Sequence, residues 1–441
     1  MSGVGVSREE ALKVLRRVRV GQPVAESLAE SHRAHPLDPK DRALLTQLVY
    51  GVLRHRRLLD GIIRNFAKNP LEPDVADILR MGFFQLRFLD RIPSYAVVNA
   101  AVEQTKVVQP KATRLVNAVL RRGQLYDPHN LSMAEQYSHP DWLVERWGRR
   151  FGKKLPEILA ANNQIPPLTL RINLDKVGRE EVVRALSEAG VAAEASPYLK
   201  EAVRGTGSVW LEDLTMFQRG WITVQDESGM LVTYVLDPHP GERILDMTAG
   251  VGGKTGHILE YTHGRSHVVA MDVSRERLDL LRRNVKRLGF SEDVQTVCGD
   301  ATLGPTTASL GGFDRVLVDA PCSNLGVLRR RVDARWNKSA SDLKGHHARQ
   351  VQLLKMGILA AKPGGVIVYS TCSVEPEETI DVVDAIENEM PGVHRESVAD
   401  WLPHDALRAH VESGTLTILP GEFGMDGFFI ARLRYDEGSE M

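Results

Sequence analysis

The segment that decides the fold reads Arg243-Ile244-Leu245-Asp246-Met247-Thr248-Ala249-Gly250-Val251-Gly252-Gly253-Lys254-Thr255. Its first part is an apolar run that ends at Asp246, and its second part is a turn rich in glycine. Glycines at a strand-to-helix turn let the backbone approach a ligand closely. The segment therefore predicts the first strand and the ligand loop of an open α/β sheet.

The rest of the chain after residue 226 continues this pattern. Strand-like and amphipathic helix-like runs alternate, which is typical of a parallel sheet with crossover helices. The predicted helices include Arg275–Leu288 and Leu343–Ala361. The predicted strands are Arg243–Met247, His267–Asp272, Val294–Asp300, Arg315–Ala320, Val366–Thr371 and Gly427–Leu433. We therefore predict a Rossmann-like α/β domain over residues 226–436.

The residues before position 226 predict two further regions. Residues 1–130 have helical periodicity and few strand signals, and Ser7 with Glu10 predicts a capping box at the first helix. Residues 131–225 predict a linker helix and a small α+β module that is RRM-like. A chain of 441 residues suits three domains of about 150 residues each. The predicted fold class is therefore multidomain, with an all-α bundle first, the α+β module second and the α/β domain last.

Composition limits the class of protein. With 43% hydrophobic and 26% charged residues, the chain is typical of a soluble globular protein. No apolar run is long enough to cross a membrane, and Met1–Val6 does not resemble a signal peptide, so we expect a cytoplasmic protein without a membrane partner. Its three cysteines form no CxxC motif or Cys/His cluster, which argues against a disulfide framework and against a bound metal.

The net charge of −1 conceals an uneven distribution. Residues 1–130 contain 21 Lys and Arg against 13 Asp and Glu, so the remainder of the chain is acidic. A basic region in a nearly neutral protein suggests binding to an anionic polymer. A basic helical surface that simply faces solvent is the alternative.

Three classes of ligand compete for the glycine loop. A Walker phosphate loop requires a glycine where this chain has Thr248, and a dinucleotide fingerprint requires a small residue where it has Thr255. S-adenosylmethionine fits better, because the predicted strands end in acidic residues that would repel a pyrophosphate and suit a sulfonium. These residues are Asp246, Asp272, Asp300 and Asp319. Asp272 is placed for the ribose hydroxyls and Asp300 for the adenine amino group.

Two cysteines lie at the ends of predicted strands. Cys322 follows the strand that ends near Asp319, and Cys372 follows the strand that ends at Thr371. Two thiols at one edge of a cofactor-binding sheet suggest covalent catalysis, in which a thiolate adds to carbon 6 of cytosine and makes carbon 5 nucleophilic. Either thiol qualifies on position alone, and Asp319 could hydrogen-bond the pyrimidine edge. Cys298 is interpreted as an inert, buried cysteine.

Two motifs that contain these cysteines resemble the paired signatures of the RNA cytosine-5 methyltransferases. They read Asp319-Ala320-Pro321-Cys322-Ser323-Asn324-Leu325-Gly326-Val327-Leu328-Arg329-Arg330 and Tyr369-Ser370-Thr371-Cys372-Ser373-Val374-Glu375-Pro376-Glu377-Glu378. The resemblance is closest to the bacterial RsmB (Sun/Fmu) type, which methylates 16S ribosomal RNA. Residues 98–103 and 116–122 resemble that family's NusB-like RNA-binding domain, and residues 427–433 its closing strand. The resemblance covers nearly the whole chain.

The resemblance implies a role for each site residue. Cys372 would attack carbon 6, and Cys322 would assist breakdown of the covalent adduct, with Asp319 as a third catalytic residue. S-adenosylmethionine would contact Thr248, Ala249, Gly250, Val251, Gly252, Gly253, Lys254, Asp272, Asp300 and Asp319. The partner would be 16S ribosomal RNA before or during small-subunit assembly, and we expect a monomer. The glycine loop departs from the family's Cys-Ala-Ala-Pro-Gly-Gly-Lys, because it lacks the proline.

Basic residues after the first cysteine motif predict an RNA contact. Arg329, Arg330, Arg331 and Arg335 could hold phosphates beside a splayed-out base, and Trp336 could stack on it. A solvated basic loop is the alternative. Glu375, Glu377 and Glu378 are interpreted as acids in the first turn of a helix.

Two other functions remain as alternatives. A non-catalytic RNA-binding or ribosome-assembly factor with a vestigial methyltransferase fold would explain the altered glycine loop. An NAD-dependent oxidoreductase is disfavoured by the failed dinucleotide fingerprint.

Overall fold

The computed structural model describes residues 5–35, 37–207, 211–303 and 312–436. It divides into two compact units, each with its own core. The first unit comprises Met1–Ile165 and Leu328–Lys338, and the second comprises Pro166–Val327 and Ser339–Met441. The segment Leu328–Lys338, which follows the first cysteine motif, therefore belongs to the N-terminal unit by its contacts.

The first unit is helical, as predicted. Its helices are α1 (Val6–Arg19), α2 (Val24–Ala34), α3 (Pro39–Arg54), α4 (Arg56–Phe66), α5 (Pro73–Phe88), α6 (Ser94–Val108), α7 (Thr113–Gly123), α8 (Met133–Gln136), α9 (Asp141–Phe151) and α10 (Leu155–Asn163). Leu45, Leu48, Leu59, Ile62 and Phe83 are fully buried in its core. Burial of such apolar stripes is the main stabilising contribution to a helical bundle.

The predicted capping box at Ser7 and Glu10 is wrong. Helix α1 begins after Gly5, which has no side-chain cap, so Ser7 lies inside the helix. The Ser7 hydroxyl instead bonds to Asp41, and Glu10 accepts from Ser31 at 2.9 Å. Both polar side chains thus connect helices of the bundle.

The second unit begins with the small α+β module. Its elements are β1 (Leu168–Ile172), α11 (Arg179–Glu188), β2 (Ala192–Ala195), β3 (Ala202–Thr206), α12 (Thr215–Gln218) and β4 (Ile222–Val224). The four strands form an antiparallel sheet in the order β2-β3-β1-β4. Leu170, Leu186 and Ile222 are buried between the sheet and α11.

The larger part of the second unit is the predicted Rossmann-like domain. Its helices are α13 (Glu227–Leu236), α14 (Gly253–Tyr261), α15 (Arg275–Leu288), α16 (Asp342–Ala360), α17 (Ile380–Glu389) and α18 (Asp405–Arg408). Its strands are β5 (Arg243–Asp246), β6 (His267–Asp272), β7 (Val294–Cys298), β8 (Phe313–Asp319), β9 (Ala361–Thr371), β10 (Val393–Glu396), β11 (Val411–Glu412), β12 (Thr415–Ile418) and β13 (Phe428–Tyr435). All six predicted strands are present.

The order of these strands positions the site. The sheet runs β11-β12-β13-β9-β8-β5-β6-β7, and β10 pairs with β13. Strands β9, β8, β5, β6 and β7 are parallel, whereas β13 is antiparallel to β9. From β5 the chain passes first to β6 on one side and later to β8 on the other. This change of direction is the switch point at which open α/β sheets bind ligands.

No helix in the described part of the chain combines the length and apolarity that a bilayer crossing needs. Within the same described ranges, no group of three or more Cys, His, Asp and Glu side chains could hold a metal ion.

Candidate active site

A cavity of about 320 Å³ lies at the carboxyl ends of β5 and β8. Six of the seven residues of the glycine loop line it, together with Asp246, Asp319 and Phe428. The six are Thr248, Ala249, Gly250, Val251, Gly253 and Lys254. The loop therefore forms one wall of the cavity at the switch point of the sheet.

Gly252 is the loop residue that does not line the cavity, and it has a packing role. Its φ is +85°, and a Cβ at this position would lie 2.7 Å from Cγ of Leu281 on α15. Only glycine combines a positive φ with this close approach at low cost. Gly252 therefore lets α14 start directly against α15.

Asp246 gives the cavity a buried acceptor. One carboxyl oxygen accepts from the Thr255 hydroxyl at 2.7 Å, but the other, Oδ1, is buried without a hydrogen-bond partner. Burial, with a smaller contribution from Asp319, raises the pKa of Asp246 to about 6. An unsatisfied buried oxygen is costly unless a donor reaches it. Together with the open backbone at Gly250, it fits a cationic amino-acid-like ligand such as S-adenosylmethionine, and it does not fit a polyphosphate.

Asp272 and Asp300 do not line the cavity. Asp272 is buried, and its two oxygens accept from the backbone N–H groups of Gly250 at 3.0 Å and Ser274 at 2.8 Å. Asp300 accepts from the backbone and hydroxyl of Thr302, which lowers the pKa of Asp300. Here Asp272 holds the glycine loop and Asp300 caps a turn.

Asp319 and Lys254 form an ion pair on the cavity wall. Lys254 Nζ lies 2.5 Å from Asp319 Oδ2, and the Ser370 hydroxyl donates to the other oxygen at 2.8 Å. Burial tends to lower the pKa of Lys254, but Asp319, together with Asp246 and Cys372, outweighs burial and the net pKa is raised. Lys254 therefore remains charged, 5.5 Å from the centre of the Phe428 ring.

The two motif cysteines lie together, as predicted. Their Sγ atoms are 3.1 Å apart, and the Cys372 thiol also lies 3.2 Å from Oδ1 of Asn324. Cys322 is buried, whereas Cys372 is partly exposed. The hydrogen bond with Cys372, and then burial, raise the pKa of Cys322 well above its usual value. Both causes favour the protonated form of Cys322.

Gly326 permits the loop after Cys322 to approach the end of β9. A Cβ at Gly326 would lie 2.3 Å from the Gly427 carbonyl oxygen and 2.9 Å from that of Cys372. Instead, the N–H of Gly326 donates to the Cys372 carbonyl at 3.0 Å. This backbone contact connects the two cysteine motifs directly.

The acids after Cys372 are not all first-turn residues. Glu375 and Glu378 are fully buried, and α17 begins only at Ile380. Glu378 accepts hydrogen bonds from residues of both cysteine motifs. Glu378 does lie in the first turn of a helix, the short 3-10 helix Pro376–Glu378, but no short-range sequence signal indicated its contacts with the cysteine motifs.

The predicted RNA-binding arginines belong to the first unit. Arg335 is fully buried and donates to the carbonyl oxygens of Arg54, Ser138 and Asn162 at 2.9 to 3.0 Å. Arg329 is also buried. Because neither guanidinium faces solvent, the prediction that Arg329 and Arg335 contact RNA is wrong. Arg331 is exposed and Arg330 partly exposed, and for them the contact remains a prediction.

The interpretation of Cys298 as a buried residue is also wrong. Cys298 is exposed at the end of β7. Among the described residues, strand β7 forms one edge of the sheet.

Each part of the chain is similar to known proteins. The family model described as 16S rRNA methyltransferase RsmB/F matches residues 233–434, that of the NusB family residues 6–124, and that of the RsmF/B-like ferredoxin-like domain residues 139–209. A solved structure, that of PH0851, has a TM-score of 0.81 at 24% identity and covers 99% of this chain and 98% of that one. The likeness confirms the fold.

Curated relatives match over nearly the full length. The probable ribosomal RNA small subunit methyltransferase B of Synechocystis sp. is 36% identical, with 97% of this chain and 99% of that protein covered. The probable ribosomal RNA small subunit methyltransferase B of Bacillus subtilis is 34% identical, with 97% and 98% covered. With NusB-like, ferredoxin-like and Rossmann-like parts and these nearly full-length relatives, the chain belongs to the RsmB/F family of 16S rRNA methyltransferases.

Proposed function

We propose that this protein transfers a methyl group from S-adenosylmethionine to carbon 5 of a cytosine in 16S ribosomal RNA, through a transient bond between Cys372 and carbon 6. The observation that carries the proposal is the pair of thiols 3.1 Å apart beside the cavity. Ser370, two residues before Cys372, pairs in the sheet with Asp319 of the cavity wall. A single site would thus contain a nucleophile and a methyl-donor pocket.

The cavity residues would hold the methyl donor, which supplies an electrophilic methyl group on a sulfonium. The carboxylate of Asp246 would accept from the donor's ammonium group through the oxygen that has no partner. Gly250 and Gly253 present no side chain there. Asp272 would act on the methyl donor indirectly, because it accepts from the N–H of Gly250 and so holds the glycine loop in place.

The thiolate of Cys372 would form a bond to carbon 6 of the cytosine. The electron pair of the C5=C6 double bond then makes carbon 5 able to take the methyl group. Loss of the proton on carbon 5 restores the double bond, the S–C6 bond breaks, and the thiolate of Cys372 is released. Asp319 would hydrogen-bond the pyrimidine edge, with Lys254 supplying positive charge at the same place.

The different surroundings of the thiols support the assignment of their roles. Cys372 is partly exposed and can meet a base that enters the site. Cys322 is buried, which favours its protonated form, so it can donate a hydrogen bond to the sulfur that leaves carbon 6. This arrangement suits Cys372 as nucleophile and Cys322 as the residue that assists release.

The substrate follows from the relatives, which are named as small-subunit ribosomal RNA methyltransferases. The basic NusB-like region would supply RNA affinity, and the ferredoxin-like module would orient the strand. That the protein is a monomer remains a prediction. That it acts before or during assembly of the small subunit also remains a prediction.

Bisulfite mapping of 16S ribosomal RNA tests the proposal. RNA from cells that lack this protein should lose methylation at one cytosine, and the purified protein with S-adenosylmethionine should restore it. An unchanged map would favour the alternative, a non-catalytic assembly factor, which the altered glycine loop also suggests. Calorimetry separates the two, because that factor would not bind S-adenosylmethionine.

A further inference from the structure

Glu378 is a buried carboxylate with an unusual set of partners. It ends the short turn Pro376–Glu378 before α17, and none of its side chain is exposed. Nδ1 of His346 lies 4.0 Å from its Oε1. Burial of a carboxylate is costly unless several donors replace its water. A carboxylate at this buried position therefore indicates a role beyond packing.

The donors to Glu378 come from both cysteine motifs. Oε1 accepts from the backbone N–H of Ser323 at 2.7 Å, and Oε2 accepts from the hydroxyls of Ser323 and Ser373, each at 2.5 Å. Ser323 follows Cys322 and Ser373 follows Cys372 in the chain. One carboxylate is thus bonded to the residue next to each thiol.

Further bonds fix Glu378 itself. Gln350 on α16 donates to Oε1 at 3.3 Å, and the Tyr369 hydroxyl donates to the Glu378 carbonyl at 2.8 Å. The side chain of Glu378 is therefore held by α16, and its backbone by β9. With its oxygens taken up by these donors and no exposed surface, Glu378 is not placed to remove a proton from a nucleotide.

We propose that Glu378 is a positioning residue that sets the distance between the Cys322 and Cys372 sulfurs through its bonds to Ser323 and Ser373. The proposal rests on the proposed function, because the thiol pair matters only if one sulfur attacks and the other assists. The charge of Glu378 also contributes to the raised pKa of Cys322, after the hydrogen bond with Cys372 and burial.

The test uses the full chain with Glu378→Gln, which keeps the shape and removes the charge. Glu377→Gln is the matched control, since that neighbouring side chain lines a different cavity with Lys344 and His347. Two readouts are needed: single-turnover methylation of unmodified 16S ribosomal RNA, and iodoacetamide alkylation of each cysteine against pH, followed by peptide mass spectrometry. Other titratable groups near the thiols or Glu378, namely Lys254, Asp319, His346 and Tyr369, are unchanged in both variants.

The Glu378→Gln variant should lose about tenfold or more in single-turnover rate, because small misplacements of reacting groups are costly. Its pH of half-alkylation at Cys322 should fall, since removal of a nearby negative charge favours the thiolate. Glu377→Gln should match the unmodified protein in both readouts. A Glu378→Gln rate within about twofold of normal with an unmoved Cys322 profile would overturn the proposal.

Ser323→Ala and Ser373→Ala cover the case in which Glu378→Gln does not fold. Each removes one hydroxyl donor and keeps the carboxylate, and each should lower the single-turnover rate several-fold. Normal rates in both serine variants would overturn the proposal. If the unmodified protein methylates no cytosine, the proposed function fails, and the Cys322 alkylation profile alone then decides whether Glu378 controls the thiols.

Discussion

The Cys322 sulfur lies 3.1 Å from the Cys372 sulfur, although 50 positions separate the two residues in the chain. The parallel pairing of β8 with β9 produces this proximity, because Asp319 pairs with Ser370 near the carboxyl ends of the two strands. Cys322 lies three residues after the end of β8 at Asp319, and Cys372 directly follows the end of β9 at Thr371. The register between β8 and β9 thus brings the two sulfur atoms close together.

Removal of each sulfur should have a different effect. Cys372→Ala should abolish methyl transfer, because no other partly exposed thiol faces Cys322 in the described structure. Cys322→Ala should allow attack and retain a covalent RNA adduct, which a denaturing gel resolves as a band of lower mobility. Full turnover in both variants would contradict the thiol mechanism.

Binding of S-adenosylmethionine should strengthen as the pH rises through about 6. The pKa of Asp246 is raised to about 6, so its carboxyl is largely neutral below that pH and attracts an ammonium group weakly. Calorimetry at constant ionic strength measures the dependence. Asp246→Asn should bind weakly at every pH, and an affinity independent of pH in the unmodified protein would remove Asp246 from the donor site.

The same group should affect stability in the opposite direction. An unfolded Asp has a pKa near 3.9, so the unfolded chain loses this proton before the folded chain does as the pH rises. This contribution to the free energy of unfolding is therefore present below about pH 4 and is lost as the pH rises through about 6. Denaturant titrations should show a shallower decline over this window for Asp246→Asn.

Gly252→Ala should reduce both stability and cofactor affinity. The substitution adds the strain of a positive φ, of about 1 kcal/mol or more, to a contact 2.7 Å from Leu281. Gly241→Ala is the matched control, because Gly241 has a φ of +86° with no atom within 4 Å of the added Cβ. Denaturant unfolding should show a larger loss for Gly252→Ala, and only that variant should bind S-adenosylmethionine more weakly. Equal effects would argue against the packing role.

Arg335→Met should destabilise the helical unit by about 3 kcal/mol, because it leaves buried carbonyl oxygens without a donor. Arg331→Met, at an exposed position, should change the free energy of unfolding by less than about 0.5 kcal/mol. Chemical denaturation of the two variants measures the difference. A small effect at Arg335 would contradict its structural role.

The sequence predicted those parts that depend on short-range patterns. The strands from β5 to β9, the glycine loop and the meeting of the two thiols follow from hydrophobic periodicity and from the geometry of parallel strands. Strands β2 and β3 were not predicted, because Ala192–Ala195 and Ala202–Thr206 lack a clear alternation of apolar residues. Weak local preference in these strands is overridden by the pairing of β3 with β1 and of β2 with β3.

The errors concern residues whose partners are remote in the chain. Arg335 appeared as a basic loop residue because its acceptors lie at Arg54, Ser138 and Asn162, from 173 to 281 positions away. Glu378 lies in the first turn of a short helix, as predicted, but its bond with Ser323, 55 positions away, was missed. Spacing rules operate over one or two helical turns and do not report such contacts.

The assignment of Leu328–Lys338 to the N-terminal unit has a consequence for biosynthesis. As the chain leaves the ribosome, the helices up to α10 emerge first, but Arg335 emerges about 170 residues later. Until then the carbonyl groups that it bonds must remain hydrated, so the nascent helical unit is incomplete and less stable. Maturation of the N-terminal unit is thereby delayed until part of the catalytic domain has been translated.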